Sequence, residues 1–376
     1  MNAAPDPAPD DDTDRFRHAA AEVGLRDIAL AAGVSIGTVS RALKNQRGLS
    51  DETRRQVREI AHRLGYDHDR LRRRQARRLV FLIHRHHDER PAHPFYAEVL
   101  QGAEQVCRER GLVLALLSAG PADPLRDWLR MHEPDLLVAA GHFEPELVAL
   151  LRRLELPLAL VDDRQGDCRA VHADDADGGR QATRHLLALG RRRIAFLGGP
   201  PAHHSIRERE RGHRRALFEA GLPADPALGV SAPAGLDTRR GAEAAMRELL
   251  RLRERPDAVF AYNDAAAIAA MRVCLAAGLR VPQDIAFVGF DDIADAAAAP
   301  VPLTTVRVDK TELGRLGVEL ALDSAQAPRL PQHIVLPVQL VCRASTDPET
   351  GATSGSSDAA AQSPLPPPTP RSARTR

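Results

Sequence analysis

Seven short apolar runs, each bordered by a stretch of helical period, constrain the fold of this chain more than any other feature. They are LVFLI (79–83), LVLALLS (112–118), DLLVAAG (135–141), LPLALVD (156–162), RIAFLGG (193–199), DAVFAYN (257–263) and DIAFVGF (284–290). Such runs suit strands buried on both faces, and their alternation with helical segments predicts βαβ units and parallel, doubly wound sheets. In sheets of this kind ligands bind beyond the carboxyl ends of the strands. The residues that follow the runs are Asp162 after LALV, Asn263 and Asp264 after VFAY, and Asp291 and Asp292 after FVGF; Arg209 lies in SIRERERGH, beyond the GGP loop at 198–200. A carboxylate accepts hydrogen bonds, a guanidinium donates several and an amide does both, a mixture suited to the vicinal hydroxyls of a sugar. Taken singly, each Asp or Asn could instead cap a helix or shape a turn. That role is assigned to Asp264 and Asp292.

The 376 residues suffice for two or three domains, and 43% apolar with 27% charged residues is ordinary for a globular chain. Of the 52 basic residues only Lys44 and Lys310 are lysines, a bias read as genomic composition. No apolar run approaches the roughly 20 residues of a membrane helix. Met1 to Asp14 carries five aspartates and no apolar segment, unlike a secretory signal. Cys107, Cys168, Cys274 and Cys342 are widely spaced, without metal-ligand spacing, and fit a reducing cytoplasm. The net charge of +1 hides a segregation: residues 15–78 hold 16 basic residues against 7 acids. A basic module on an acidic body is the footprint of a polyanion binder such as a DNA-binding protein, although a solvated basic face would look the same in charge alone. Residues 1–22 and 347–376, rich in Asp, Ala, Pro and Ser, offer little to bury and read as tails.

Within the basic module, LRDIALAAGVSIGTVSRALKN places Leu25, Ile28, Ala29 and Ala32 on one helical face. Gly33 ends that helix, and Ser35 caps a second with Val39 and Leu43 inward. Two helices joined by a short glycine-bearing turn form a helix-turn-helix signature. A third helix is expected from Ser50, with Asp51 and Glu52 in its first turn, Val57, Ile60, Ala61 and Leu64 as its stripe, and Gly65 as its stop. The outward positions of the second helix are Ile36, Gly37, Thr38, Ser40, Arg41 and Lys44. Arg41 can give paired hydrogen bonds to a guanine edge, and the hydroxyls suit phosphates.

The runs LRDIALAAGVSIGTVSRALKN and LSDETRRQVREIAHRLGY resemble the LacI-type (lactose/purine repressor) family of bacterial transcriptional regulators. HADDADGGRQATRHLLALGRRRIAFLGG, SIRERERGHRRAL, VFAYNDAAAIAAM and IAFVGFDD extend the likeness to about residues 24–346. The resemblance implies a helix-turn-helix domain at 23–66, a basic hinge at 67–78, and at 79–346 a body of two α/β lobes, periplasmic-binding-protein-like, for effector binding and dimerisation. It implies that Ile36, Gly37 and Arg41 face bases, that Ser35, Thr38, Ser40, Ser50 and Thr53 meet phosphates, and that Leu25 and Lys44 complete the DNA-contacting set. It further implies that Asp162, Arg209, Asn263 and Asp291 hold the effector, with Arg85 and Phe95 beside the pocket.

The hinge departs from the family pattern Asn-x-x-Ala-x-x-Leu, whose leucine wedges into the minor groove. Here Asp69, Arg72 and Gln75 stand at those three positions, and six arginines crowd DHDRLRRRQARR. Like charges on neighbouring turns oppose a free helix, so two readings stand equally: order on DNA, with the arginines against phosphates or in a narrow minor groove, Arg72 and Gln75 at the duplex and Leu71 as the one apolar side chain that could replace the wedge, or a flexible basic linker that merely adds affinity. The tract HRHHDERPAHPFY contains His84, His86, His87 and His93 and reads as a pocket rim rather than a metal site. The expected function is an effector-controlled regulator, a repressor, acting in the cytoplasm as a homodimer on a near-palindromic operator. The effector expected is a sugar, or alternatively a nucleobase or phosphorylated metabolite, and no cofactor is expected. Two other classes are weaker. A sugar-binding protein without a regulatory role leaves the basic module unused, and an enzyme lacks a phosphate-cradling glycine loop, nucleophile elbow or metal motif.

Overall fold

A computed structural model describes residues 24–43, 49–64, 76–84, 94–223, 225–233, 235–325 and 328–347. The chain divides into two compact units, residues 1–75 and 76–376. In the first, helices α1 (Leu25–Ala32), α2 (Ile36–Leu43) and α3 (Asp51–Arg63) enclose a small core of Ile28, Ala29, Val39, Ala42, Leu43, Val57, Ile60 and Ala61. Gly33 takes the left-handed conformation, at φ 65°, that ends α1 without a Cβ penalty. Ser50 caps α3 by accepting from Thr53 N. Leu64, expected in the stripe, is the C-cap residue and is 36% exposed, because the last turn carries it past the small core.

The second unit holds two six-stranded sheets. The first lobe contains β1 (Arg78–His84), α4 (Pro94–Arg110), β2 (Val113–Ala119), α5 (Leu125–His132), β3 (Leu136–Ala140), α6 (Pro145–Arg152), β4 (Leu158–Val161) and β5 (Arg169–Ala173). The chain then enters α7 (Asp175–Ala188), which packs on the second sheet. That lobe is built from β6 (Ile194–Gly198), α8 (His204–Glu219), β7 (Gly229–Ser231), α9 (Thr238–Leu250), β8 (Ala258–Ala261), α10 (Asp264–Ala276), β9 (Ala286–Asp291), α11 (Ala294–Ala297) and β10 (Thr304–Arg307). Helix α12 (Lys310–Ser324) returns to the first lobe, where β11 (His333–Leu336) joins its edge, and β12 (Gln339–Val341) closes the second sheet. The strand orders are β11-β5-β4-β3-β1-β2 and β12-β10-β9-β8-β6-β7. Every pair is parallel except β10 with β12.

All seven apolar runs form strands, and the parallel α/β expectation holds. One run departs from burial on both faces: β2 is an edge strand with Val113 66% and Leu116 49% exposed. Three crossovers join the lobes, entering α7, entering α12 and between β11 and β12. Asp174 and Asp309 cap the two crossover helices, accepting from Asp177 N and Glu312 N.

Each lobe locks a helix pair through glycines. A Cβ on Gly102 of α4 would run into the Thr311 carbonyl of α12, and one on Gly314 into the Val99 carbonyl. In the second lobe Gly179 of α7 meets the backbone of Arg209, and Gly212 of α8 that of Ala176. Backbone cannot retreat as a flexible side chain can, so Gly314→Ala is expected to destabilise the body by about 1–3 kcal/mol, seen as a lower denaturant midpoint at unchanged slope.

Candidate functional site

Helix α2 turns Val39, Ala42 and Leu43 inward and leaves Ile36, Gly37 and Arg41 exposed, with Thr38 and Ser40 half-buried. Ser35 Oγ accepts from Thr38 N at 3.1 Å and shares a hydrogen bond with Thr38 Oγ1 at 2.9 Å. Ser50 Oγ repeats the arrangement with Thr53 N at 3.2 Å and Thr53 Oγ1 at 2.7 Å. In each pair one hydroxyl proton satisfies its neighbour and the other stays available to a phosphate oxygen. Arg41 Nε donates to the Gly37 carbonyl at 3.4 Å, and α2 contains no acid to neutralise it. Leu25 packs half-buried against the core rather than standing clear of it. Lys44, Arg72, Gln75 and Arg85 lie outside the described residues, as do Gly65, His86, His87 and His93.

In the body, Asp162, Asn263 and Asp291 stand at the carboxyl ends of β4, β8 and β9, and Arg209 on α8 joins them. Arg209 is 4% exposed. Its Nε donates to Asp175 Oδ1 at 2.8 Å and its Nη1 to the Tyr262 carbonyl at 2.6 Å. Asp291 Oδ1 lies 3.3 Å from Nη1, and the guanidinium carbon sits 3.7 Å over the Phe290 ring. Tyr96 OH donates to Asp162 Oδ2 at 2.8 Å. Asp162 Oδ1, Asp175 Oδ2 and Asp291 Oδ1 are buried without a hydrogen-bond partner among the described residues. Asp162 and Asp291 hold φ of 60° and 106°, a strained backbone that directs their carboxyls.

One guanidinium among three carboxyls leaves negative charge in excess. Burial, reinforced by Asp175 and Asp291 and opposed by Arg209, pushes Asp162 up to about 8. Burial likewise pushes Asp291 up to about 7, although Arg209 and Lys310 oppose it. Lys310 is buried and donates to the Asp291 and Asp292 carbonyls at 2.8 and 3.1 Å. Beside it, at the second and third crossovers, opens a cavity of about 650 Å³ lined by Glu98, Asp292, Arg307, Asp309, Lys310 and Gln339.

Several sequence assignments change. Asn263, expected to bind ligand, is in addition the N-cap of α10: its Oδ1 accepts from Ala266 N at 2.8 Å, and its amide NH2 remains for other partners. Asp264, expected to cap, is instead fully buried and accepts from Ile293 N and from Thr305 Oγ1, tying the loop after β9 to β10. Asp292 caps no helix; its two oxygens pair with Arg307 and Arg343, each at 2.6 Å. Phe95 is buried in the core with its ring edge-on to Tyr96 at 5.0 Å, so the next residue supplies the polar contact. Arg209 is a structural pillar as well as a member of the cluster. His84 is buried and bonded to Glu144 Oε2 at 3.1 Å.

Tyr96 and Asp175 escaped the sequence reading. A signal for Asp175 existed: it shares a helical face with Gly179, Ala182 and Leu186, all buried. Among the described residues no group of three or more His, Cys, Asp or Glu is disposed to hold a metal ion. No described helix is long and apolar enough to cross a membrane.

The family of bacterial regulatory proteins, lacI family, matches residues 24–69, and a periplasmic binding protein-like domain matches 183–346. The HTH-type transcriptional regulator CelR of Thermobifida fusca is 34% identical over 334 residues, covering 85% of this chain and 97% of its own. Among solved structures, a CelR–cellobiose complex superposes with a TM-score of 0.67 at 32% identity, covering 86% of this chain and 99% of that one. A lac repressor dimer bound to operator and the anti-inducer ONPF superposes at 0.61 with 25% identity and the same coverage of both chains. Sequence, two-lobed body and helix-turn-helix unit agree: this chain belongs to the LacI family of DNA-binding transcriptional regulators.

Proposed function

We propose that the chain is a repressor that binds a near-palindromic operator as a homodimer through α2, and that a sugar held between its lobes controls that binding. The observation that carries the sugar reading is the gathering of Asp162, Asp175 and Asp291 around Arg209, with Asp162 Oδ1 and Asp175 Oδ2 buried and without a hydrogen-bond partner among the described residues. Acceptors gathered at the carboxyl ends of both sheets call for a ligand rich in hydroxyl donors. The relative solved with cellobiose supports the same class, and the lac repressor dimer on its operator supports the two-fold arrangement on DNA. A phosphorylated effector would meet three carboxyls and a single arginine already paired, a poor site for an anion. A thermal-shift panel of sugars against the full chain tests this reading. A sugar that raises the melting temperature should also change operator affinity; no shift from any neutral or charged sugar would set the reading aside.

On the DNA side, Arg41 is exposed, lacks a neighbouring acid and sits on the outward face of α2. Arg41→Ala is expected to cost about 1–3 kcal/mol on the specific site and little on random DNA. Equal losses on both duplexes, in a fluorescence-anisotropy titration, would make Arg41 a phosphate contact. Ser35, Thr38, Ser40, Ser50 and Thr53 fit phosphate contacts that set register without reading sequence.

A further inference from the structure

Four imidazoles meet where the lobes face each other at the N-terminus of α8. His142, in the loop after β3 of the first lobe, has its ring 4.9 Å from that of His203 in the second. His172 of β5 lies edge-on to His204 at 5.5 Å. His203 is the N-cap of α8 and His204 its first residue. We propose that these two cross-lobe histidine pairs form a proton-released latch, which holds the lobes together while His203 and His204 are neutral and lets them part on mild acidification.

The surroundings of His203 and His204 oppose a positive charge. His203 faces His142, His84 and Arg209, with Asp163 as its acid; His204 faces His172, with Asp175, Glu208 and Asp163. Those acids are largely committed elsewhere. Asp163 Oδ2 is held by Gln165 at 2.7 Å and lies 3.4 Å from His142 Nδ1, its Oδ1 accepts from Arg164 N at 2.8 Å, and Asp175 is paired with Arg209. The start of a helix adds the positive end of its dipole. His172 Nδ1 is bonded to the Ala173 carbonyl at 2.9 Å, so Nδ1 carries the proton; Nε2 is buried without a partner among the described residues. Burial and these neighbours bring His203 down to about 3 and lower His204 as well.

Parted lobes return the rings to water and to a value near 6.5. A base whose pKa is depressed in the closed form favours that form above its open-state value and disfavours it as pH falls below. Each histidine whose closed-state value stays below the working pH therefore lowers the closed-to-open ratio about tenfold between pH 7.5 and 5.5. The full chain can report this directly. Spin labels at Arg130→Cys on α5 and Arg247→Cys on α9, both exposed, in a Cys342→Ser background that leaves only buried cysteines, give the interlobe distance; dilution with excess unlabelled chain suppresses distances between subunits. The ratio of the short- to the long-distance population is expected to fall about tenfold or more on acidification. His203→Gln/His204→Gln should show the same distribution at both pH values; His203→Gln alone should lose about a tenfold share of the response, and His204→Gln alone should reduce the response as well. A native chain indifferent to pH, or a double variant that still opens, would overturn the latch. Should the double variant fail to fold, single variants with an undiminished response would overturn it equally.

Discussion

Arg209→Ala is expected to cost the body about 3–5 kcal/mol of folding stability, and chemical denaturation should show it as a large loss of midpoint. The magnitude follows from what the side chain balances. The guanidinium is buried, bonded to Asp175 and the Tyr262 carbonyl, close to Asp291 and stacked on Phe290. Truncation leaves Asp162, Asp175 and Asp291 buried with no guanidinium among them, and the ring of Phe290 loses its cation. Arg209→Lys should recover only part of the loss, because an ammonium is a point charge that cannot reproduce the planar fork. A truncation that left the midpoint unchanged would show that Arg209 is not what balances the buried carboxyls.

Asp162→Asn is expected to do the opposite to stability. Burial holds the Asp162 carboxyl at about 8, against an ordinary value of 3.8. An acid whose pKa is raised by folding contributes fully below its unfolded value, and that contribution is lost as pH rises through the folded value. The native chain is therefore increasingly penalised between about pH 4 and 8. Asparagine stays neutral throughout, accepts from Tyr96 as the aspartate does, and tolerates the left-handed backbone at φ 60°. Its melting temperature should exceed that of the native chain, by a margin that widens from pH 5 to pH 8. Below about pH 8 asparagine imitates the protonated acid, so the response to the sugar found by thermal shift should survive there and differ from the native response only above it, where the ionised aspartate offers a second acceptor oxygen. A variant that is no more stable at pH 8 would mean that Asp162 is ionised at little cost.

Much of this architecture can be read from the residues, for a physical reason. A strand buried on both faces must be apolar throughout, so LVFLI and DIAFVGF announce themselves without context. The strands that escaped are short or at edges. β7 and β12 span three residues each, β11 is half-buried, and β5 carries Arg169 and His172 within five residues. β10 begins with two buried threonines whose hydroxyls find partners only in the folded chain. At the site, Asp162 and Asp291 were legible because they end apolar runs. That Asn263 and not Asp264 caps α10 was not: which of two adjacent polar residues caps a helix depends on where the first helical turn starts, and that is settled by packing. The histidines at 142, 172, 203 and 204 are dispersed over the sequence, and only the meeting of the lobes brings them together.

The three crossovers decide when this body can come into being. β11 spans 333–336 and β12 spans 339–341, yet each closes an edge of a sheet begun more than a hundred residues earlier, at β1 and β6. A growing chain therefore leaves the ribosome with both lobes unfinished. Helix α12, which packs on the first lobe, also arrives only after β10 of the second. Nascent sheets held open that long expose aggregation-prone edges. A chain cut short before residue 333 would strip an edge strand from each sheet at once, so premature termination late in translation should leave no intact lobe to persist as a fragment.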